Sequence, residues 1–141
     1  MSTNEFFEEP TGVYDKEKDF TSLYCWQDAR RMKLFFYKSI VTKLPVTEKN
    51  NLINQIKRAA VSATANIAEG YGRFHYQEGI QFYRIARGSI YELKDHLITC
   101  FDLDYIDSVQ LNDGIDLIES TKIKLNGYIN YAKKLKQNQK K

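Results

Sequence analysis

The chain has 141 residues, 43% of them apolar or aromatic and 28% charged, with a net charge of +3, two cysteines and two prolines. A chain of this length buries roughly 68–70% of its unfolded surface, so one domain can hold a core without disulfides or metals. The longest apolar runs, such as residues 32–37 broken by Lys33, fall far short of the ~20 residues that a membrane span requires. The first residues carry neither a basic region nor an apolar stretch, so they do not read as a secretory signal. Cys25 and Cys100 both sit inside apolar helical patterns. They read as buried free thiols of a reducing, cytoplasmic compartment.

Residues 1–19 carry six acids against Lys16 and Lys18 and show little apolar periodicity. They predict a flexible acidic arm. A first helix is expected over about 22–43, with Ser22 as its N-cap. Cys25, Ala29, Met32, Phe36 and Ile40 form its stripe, with Trp26, Leu34 and Tyr37 beside it. Pro45 ends the helix, because it lacks an amide hydrogen and disfavours helical geometry in the residue before it.

A second helix is expected over about 48–69, with Thr47 as N-cap and Glu48 near the positive helix end. Its inward positions are Ile53, Ile56, Ala60, Ala63 and Ile67, and Gly70 is expected to end it as a left-handed C′ residue. The alanine-rich stretch from residue 58 predicts close approach by neighbouring helices, toward the short end of the ~8–10 Å packing range. A third helix follows over about 76–103, its stripe running through Tyr83, Ala86, Ile90, Leu93, Leu97 and Cys100. The fourth, over about 108–136, is capped by Asp107 or Ser108 and repeats at Leu111, Ile115, Ile118, Leu125, Ile129 and Ala132, with Lys122 as the one polar interruption. Residues 137–141 complete a basic tail. No stretch alternates as a strand would. Four amphipathic helices on short links predict an all-α, antiparallel up-down-up-down four-helix bundle.

Several segments resemble a known family. Phe20, Leu23, Trp26 and Gln27 resemble an opening F-x-x-L-x-x-W-Q motif. The likeness continues through Leu44-Pro45 and through residues 55–62, is strongest at residues 66–73 (N-I-A-E-G-x-G-R), and resumes at residues 82–93 (F-x-x-I-A-x-G-S-x-x-E-L). On these motifs, covering residues 20 to about 107, the chain resembles the small bacterial proteins encoded in intervening sequences of 23S ribosomal RNA genes. That family includes the accessory proteins of diversity-generating retroelements. The resemblance to those implies a pentameric ring of four-helix protomers that works with a reverse transcriptase and its RNA. This chain is only mildly basic by comparison. Most members of the family carry no assigned activity.

Two constellations stand out. Asn66, Glu69 and Arg73, with Ser62, Ser89 and Glu92 as partners, predict a structural polar network. Glu69 and Arg73 would pair and Asn66 would cap loop backbone groups, locking the turn between helices two and three. The alternative is a functional crevice. A buried, fully paired network of this kind specifies geometry even when its net stabilisation is small.

The second constellation is basic: Arg30, Arg31, Lys57, Arg58, Arg84 and Arg87, interleaved with Tyr24, Tyr71, Phe74, His75 and Tyr83. Guanidinium forks suit phosphate and aromatic rings stack on unpaired bases, so these residues are candidates for RNA binding. The plainer alternative pairs the cations with nearby acids such as Asp28, Glu78 and Asp95, or sets them at a contact between subunits. Residues 133–141 carry five lysines and no acid, which can hold phosphates or simply solvate a helix end.

Catalysis finds little support. His75 lies in a loop and His96 in mid-helix, with no metal-ligand spacing and no inward Glu-x-x-His pair. Gly70-x-Gly72 lacks the preceding strand and third glycine of a phosphate loop. Asp102, Asp104 and Asp107 read as capping and turn chemistry. No cofactor, metal or small-molecule substrate is predicted. The aromatic surplus at Phe35, Phe82, Tyr91, Tyr128 and Tyr131 predicts a self-association surface. The functional expectation is a non-enzymatic oligomeric adaptor that engages RNA or a nucleic-acid-processing protein. The alternative is a purely structural homo-oligomer with a protein partner.

Overall fold

The computed structural model of the protein describes residues 19–73 and 75–139. The predicted acidic arm up to residue 18, Phe74, Lys140 and Lys141 lie outside the described residues. Four helices and no strand occur among the described residues: α1 (Tyr24–Phe35), α2 (Leu52–Tyr71), α3 (Tyr76–Asp102) and α4 (Ser108–Gln139). α1 packs on α2, α2 on α3, α3 on α4, and α4 closes back on α1. This is an all-α antiparallel four-helix bundle in up-down-up-down order, as the periodicity predicts.

The ends of the helices differ from expectation in instructive ways. Ser22 does not cap α1. A 3-10 turn, Phe20–Ser22, precedes it, and Asp19 caps that turn by accepting from the Thr21 amide at 2.9 Å. Ser22 is buried and its hydroxyl donates to the Asp19 carbonyl. Beyond Phe35 the backbone widens into a π-helical turn, Phe36–Ile40, and then tightens into a 3-10 turn, Val41–Lys43. Thr47 does not cap α2 either. It lies within a 3-10 turn, Val46–Glu48, and α2 begins only at Leu52. Glu48 instead accepts hydrogen bonds from Asn51 and, across the bundle, from the Tyr105 hydroxyl at 2.9 Å.

Gly70 does not end α2 in a left-handed conformation, and no described glycine has a positive φ. It is buried inside the last turn, where an added Cβ would stand 2.8 Å from the Gly79 carbonyl oxygen and 2.6 Å from Cε1 of Tyr83. Its role is backbone approach between α2 and α3. Gly114 on α4 instead makes room for the side chains of Leu97 and Phe35. The left-handed residue is Asp104, at φ 63°, beyond the end of α3. The Tyr105 amide reaches the Cys100 carbonyl and the Asp104 amide reaches that of Phe101, which is the paired pattern of a Schellman stop. Three residues on, Asp107 caps α4 by accepting from the Gln110 amide, while the Gln110 side chain accepts from the Asp107 amide. The expected turn-and-cap role holds for Asp104 and Asp107.

The core follows the stripes. Cys25, Ala29, Met32, Phe36 and Ile40 are buried, as are Ile56, Ala60, Ala63 and Ile67 of α2 and all six predicted positions of α3. On α4 the polar position in the stripe is Thr121 rather than Lys122. Thr121 is fully buried and satisfies its hydroxyl on the Leu117 carbonyl at 2.7 Å. Lys122 turns outward to Glu119 and lies over the Tyr91 ring. Tyr128, expected on an assembly surface, is a core residue whose ring meets Tyr83 edge-on at 5.2 Å. Phe35 packs against Phe36, and Phe82 and Tyr131 are half-buried. Of those five aromatics only Tyr91 is exposed.

Candidate functional site

Four polar regions come from the helices, and they differ in how much of their charge is already spent. The first joins α1 to α4. Asp28 follows Cys25 by three residues, so it faces inward, and its side chain is only 6% exposed. It accepts from Arg31 at 2.7 Å, from Lys124 at 2.7 Å and from the Ser120 hydroxyl at 2.5 Å. Burial alone would raise this carboxyl. The hydrogen bonds from Lys124 and Ser120, with the nearby charges of Lys124 and Arg31, outweigh that and hold it below its ordinary 3.8. Arg31 is therefore committed to an acid, as the plainer reading of the basic residues allowed. Burial also pushes the neighbouring Cys25 thiol up to about 12 and Cys100 to about 11.

The second region is the turn from α2 to α3. Arg73 pairs with Glu69 at 2.6 Å, reaches Glu78 at 3.8 Å, and lies over the Phe82 ring at 4.6 Å. The expected pair exists, but its side chains are 39% and 54% exposed. It is a solvated surface pair, not a buried lock, because Glu69 lies on the far side of α2 from Ile67 and Gly70. Asn66 does not join it. Its amide donates back within α2, to the Ser62 carbonyl and hydroxyl, both at 2.9 Å.

The third region is a groove of about 600 Å³ along α2, bordered by Tyr37, Arg58, Ser62, Asn66, Ser89 and Glu92. The Ser89 hydroxyl donates to Ser62 Oγ at 2.7 Å and ties α3 to α2. The predicted network thus divides: Ser62, Asn66 and Ser89 form one cluster, Glu69 and Arg73 another, and Glu92 faces His96 at 3.2 Å. Among the described residues the hydrogen bonds of the two serines run to Asn66, to each other and to the Ile85 carbonyl.

The fourth region is a cleft of about 290 Å³ between the start of α3 and the end of α4. Arg84, Lys133 and Lys136 line it, with the amides of Gln77, Gln81 and Gln137 and the edge of Ile80. Among the described residues no carboxylate lines it. The register of α3 on α4, seen where Arg87 meets Asn126 at 2.9 Å and Lys94 meets Glu119 at 3.1 Å, carries Lys133 and Lys136 to this end. The six predicted basic residues are therefore dispersed. Arg30 lies over Trp26 and Lys57 over Tyr37, Arg58 borders the groove, Arg31 and Arg87 have partners, and Arg84 alone meets the tail lysines. Tyr83 is 4% exposed and cannot stack on a base. Tyr24 and Tyr71 are half-buried and His75 is exposed.

The α3–α4 hairpin is polarised by charge. Residues 95–119 hold seven acids and no lysine or arginine, whereas residues 120–139 hold five lysines and no acid. That run without acid, combined with antiparallel pairing, was the signal that could have brought Lys133 and Lys136 to Arg84. Among the described residues no three histidine, cysteine or acidic side chains stand together to hold a metal. Nor is any described helix long and apolar enough to cross a membrane.

A small four-helix bundle, pinched by glycines where α2 meets α3 and carrying the N-I-A-E-G-x-G-R turn, is the class that these features define. A model of the 23S rRNA-intervening sequence protein family matches residues 21–127. The chain belongs to that family. No curated protein matches the chain.

Proposed function

We propose that the protein is a non-enzymatic adaptor that holds RNA through the basic end of its α3–α4 hairpin. The observation that carries this reading is the set of unspent cations there. Arg31, Arg73, Lys94, Lys122 and Lys124 each have a carboxylate partner within 4 Å. Arg84, Lys133 and Lys136 have none among the described residues. Unpaired cations on one face are an electrostatic footprint for a polyanion. The resemblance to retroelement accessory proteins supports RNA as that polyanion, in the cytoplasm, with self-association as a pentamer. Exposed Ile85, Tyr91, Ile98 and Ile123 on α3 and α4 supply apolar surface for contacts between protomers.

The test is retention of single-stranded RNA as a function of salt. The logarithm of affinity should fall linearly with the logarithm of salt concentration, with about 0.7 of a slope unit per phosphate contact. Replacing Arg84, Lys133 and Lys136 by alanine should flatten the slope by roughly 2 units. Absence of retention at low salt overturns the RNA reading and leaves a homo-oligomer with a protein partner. Light scattering that reports a monomer at micromolar concentration overturns the assembly.

A further inference from the structure

We propose that the cleft between α3 and α4 takes the terminal phosphate of an RNA strand, a phosphomonoester dianion, in preference to its internal phosphodiesters. This deepens the adaptor reading and rests on it for the identity of the ligand. Three features of the cleft carry the preference.

Among the described residues the lining offers donors and charge but no stacking surface. Arg84, Lys133 and Lys136 bring three cations, and Gln77, Gln81 and Gln137 bring amide hydrogens. No aromatic residue lines the cleft among the described residues, which suits phosphate rather than bases, since single-strand binders hold bases by stacking. A phosphomonoester presents three oxygens and close to two negative charges, against one charge for an internal phosphodiester. Three cations gathered in one cleft repel each other, and a ligand that concentrates negative charge at one point relieves that most.

The cleft is also small. Its volume of about 290 Å³ lies at the lower edge of the ~300–1,000 Å³ range of small-molecule pockets. That suits the end of a strand, not a run of nucleotides. Finally, the surroundings favour an anion. Gln77 stands in the first turn of α3, at the positive end of a 27-residue helix. Glu78, the one acid in that turn, is directed to Arg73. Arg84 supplies a planar fork that can give two parallel hydrogen bonds to phosphate oxygens.

The experiment uses the full-length protein and one single-stranded RNA oligonucleotide made with either a 5′-phosphate or a 5′-hydroxyl, read by fluorescence anisotropy at fixed salt. The phosphorylated strand should bind about tenfold more tightly, the scale of one charge-assisted hydrogen bond. Arg84→Gln and Lys136→Ala should each erase most of that difference. Arg58→Ala, in the groove on α2, should leave it intact. Equal affinity for the two ends in the unaltered protein overturns the proposal.

A parallel titration with inorganic pyrophosphate, followed by NMR of the glutamine side-chain amides, separates the two ways to fail. If RNA binds but pyrophosphate moves none of Gln77, Gln81 and Gln137, the cleft is wrong and the RNA reading survives. If pyrophosphate moves them and neither RNA binds, the RNA reading has failed, and the strand-end proposal falls with it. The cleft then stands as a phosphate site.

Discussion

Asp28 with Arg31 and Glu69 with Arg73 are near-identical motifs in the sequence, an acid followed by an arginine three or four residues later. The structure separates them. Asp28 is 6% exposed and draws in Ser120 and Lys124 from α4, whereas Glu69 and Arg73 are 54% and 39% exposed and stay within the turn. The difference comes from phase. Asp28 lies between Cys25, Ala29 and Met32 on the inward stripe of α1, while Glu69 falls two residues past Ile67 and points away from the core. A charge pair is structural when its acid occupies a stripe position. Its spacing alone says little.

The sharpest way to break this comparison is Asp28→Ala. It removes three charge-assisted hydrogen bonds, two of them across the α1–α4 seam and one within α1, and should lower the unfolding free energy by about 2–3 kcal/mol. That is less than the ~3–5 kcal/mol for stranding a buried charge, because Lys124 and Arg31 can turn to water. Urea titration measures it. The same carboxyl has its pKa depressed in the folded state, so its contribution is fully present above its ordinary 3.8 and is lost as pH falls below that value. The variant should show a shallower decline in stability on acidification than the unaltered protein.

The α2–α3 turn, by contrast, is held by backbone approach rather than charge. Gly70→Ala would press a methyl group against the Gly79 carbonyl and should cost about 1–3 kcal/mol by overpacking. Gly88→Ala on α3, where nothing stands within 4 Å, should have the opposite sign and stabilise by about 0.5–1 kcal/mol. The smallest effect belongs to Arg73→Ala, at below about 1 kcal/mol, as for other exposed pairs. A loss for Arg73→Ala equal to that for Asp28→Ala would erase the distinction drawn between the two regions.

Much of the fold was legible because apolar periodicity records burial directly. The stripes of α1 and α3 were read residue by residue, and so was the aspartate chemistry of the turn between α3 and α4. Caps were harder. Ser22 and Thr47 have the right chemistry for N-caps, yet short 3-10 turns took their places, since where a helix begins depends on how the preceding chain docks. Gly70 illustrates the same limit. Its freedom to adopt positive φ was visible in the sequence, but the need for a missing Cβ comes from Tyr83 and Gly79 on another helix. The polar network was legible in its members and misread in its grouping. Ser62 and Asn66 on α2 meet Ser89 of α3, whereas Glu69 near the end of α2 meets Arg73 in the turn beyond it.

The sequence by itself determined four helices, most of the faces they bury and their antiparallel order, because these follow from apolar spacing and short links along the chain, while its motifs carried the resemblance to the family. Only the tertiary structure decided that Ser120 and Lys124 of α4 close on Asp28, and that Arg84 meets Lys133 and Lys136 in one cleft. Those outcomes depend on the register between helices far apart in sequence. That register is set by the summed packing of whole faces, and no single residue's spacing encodes it.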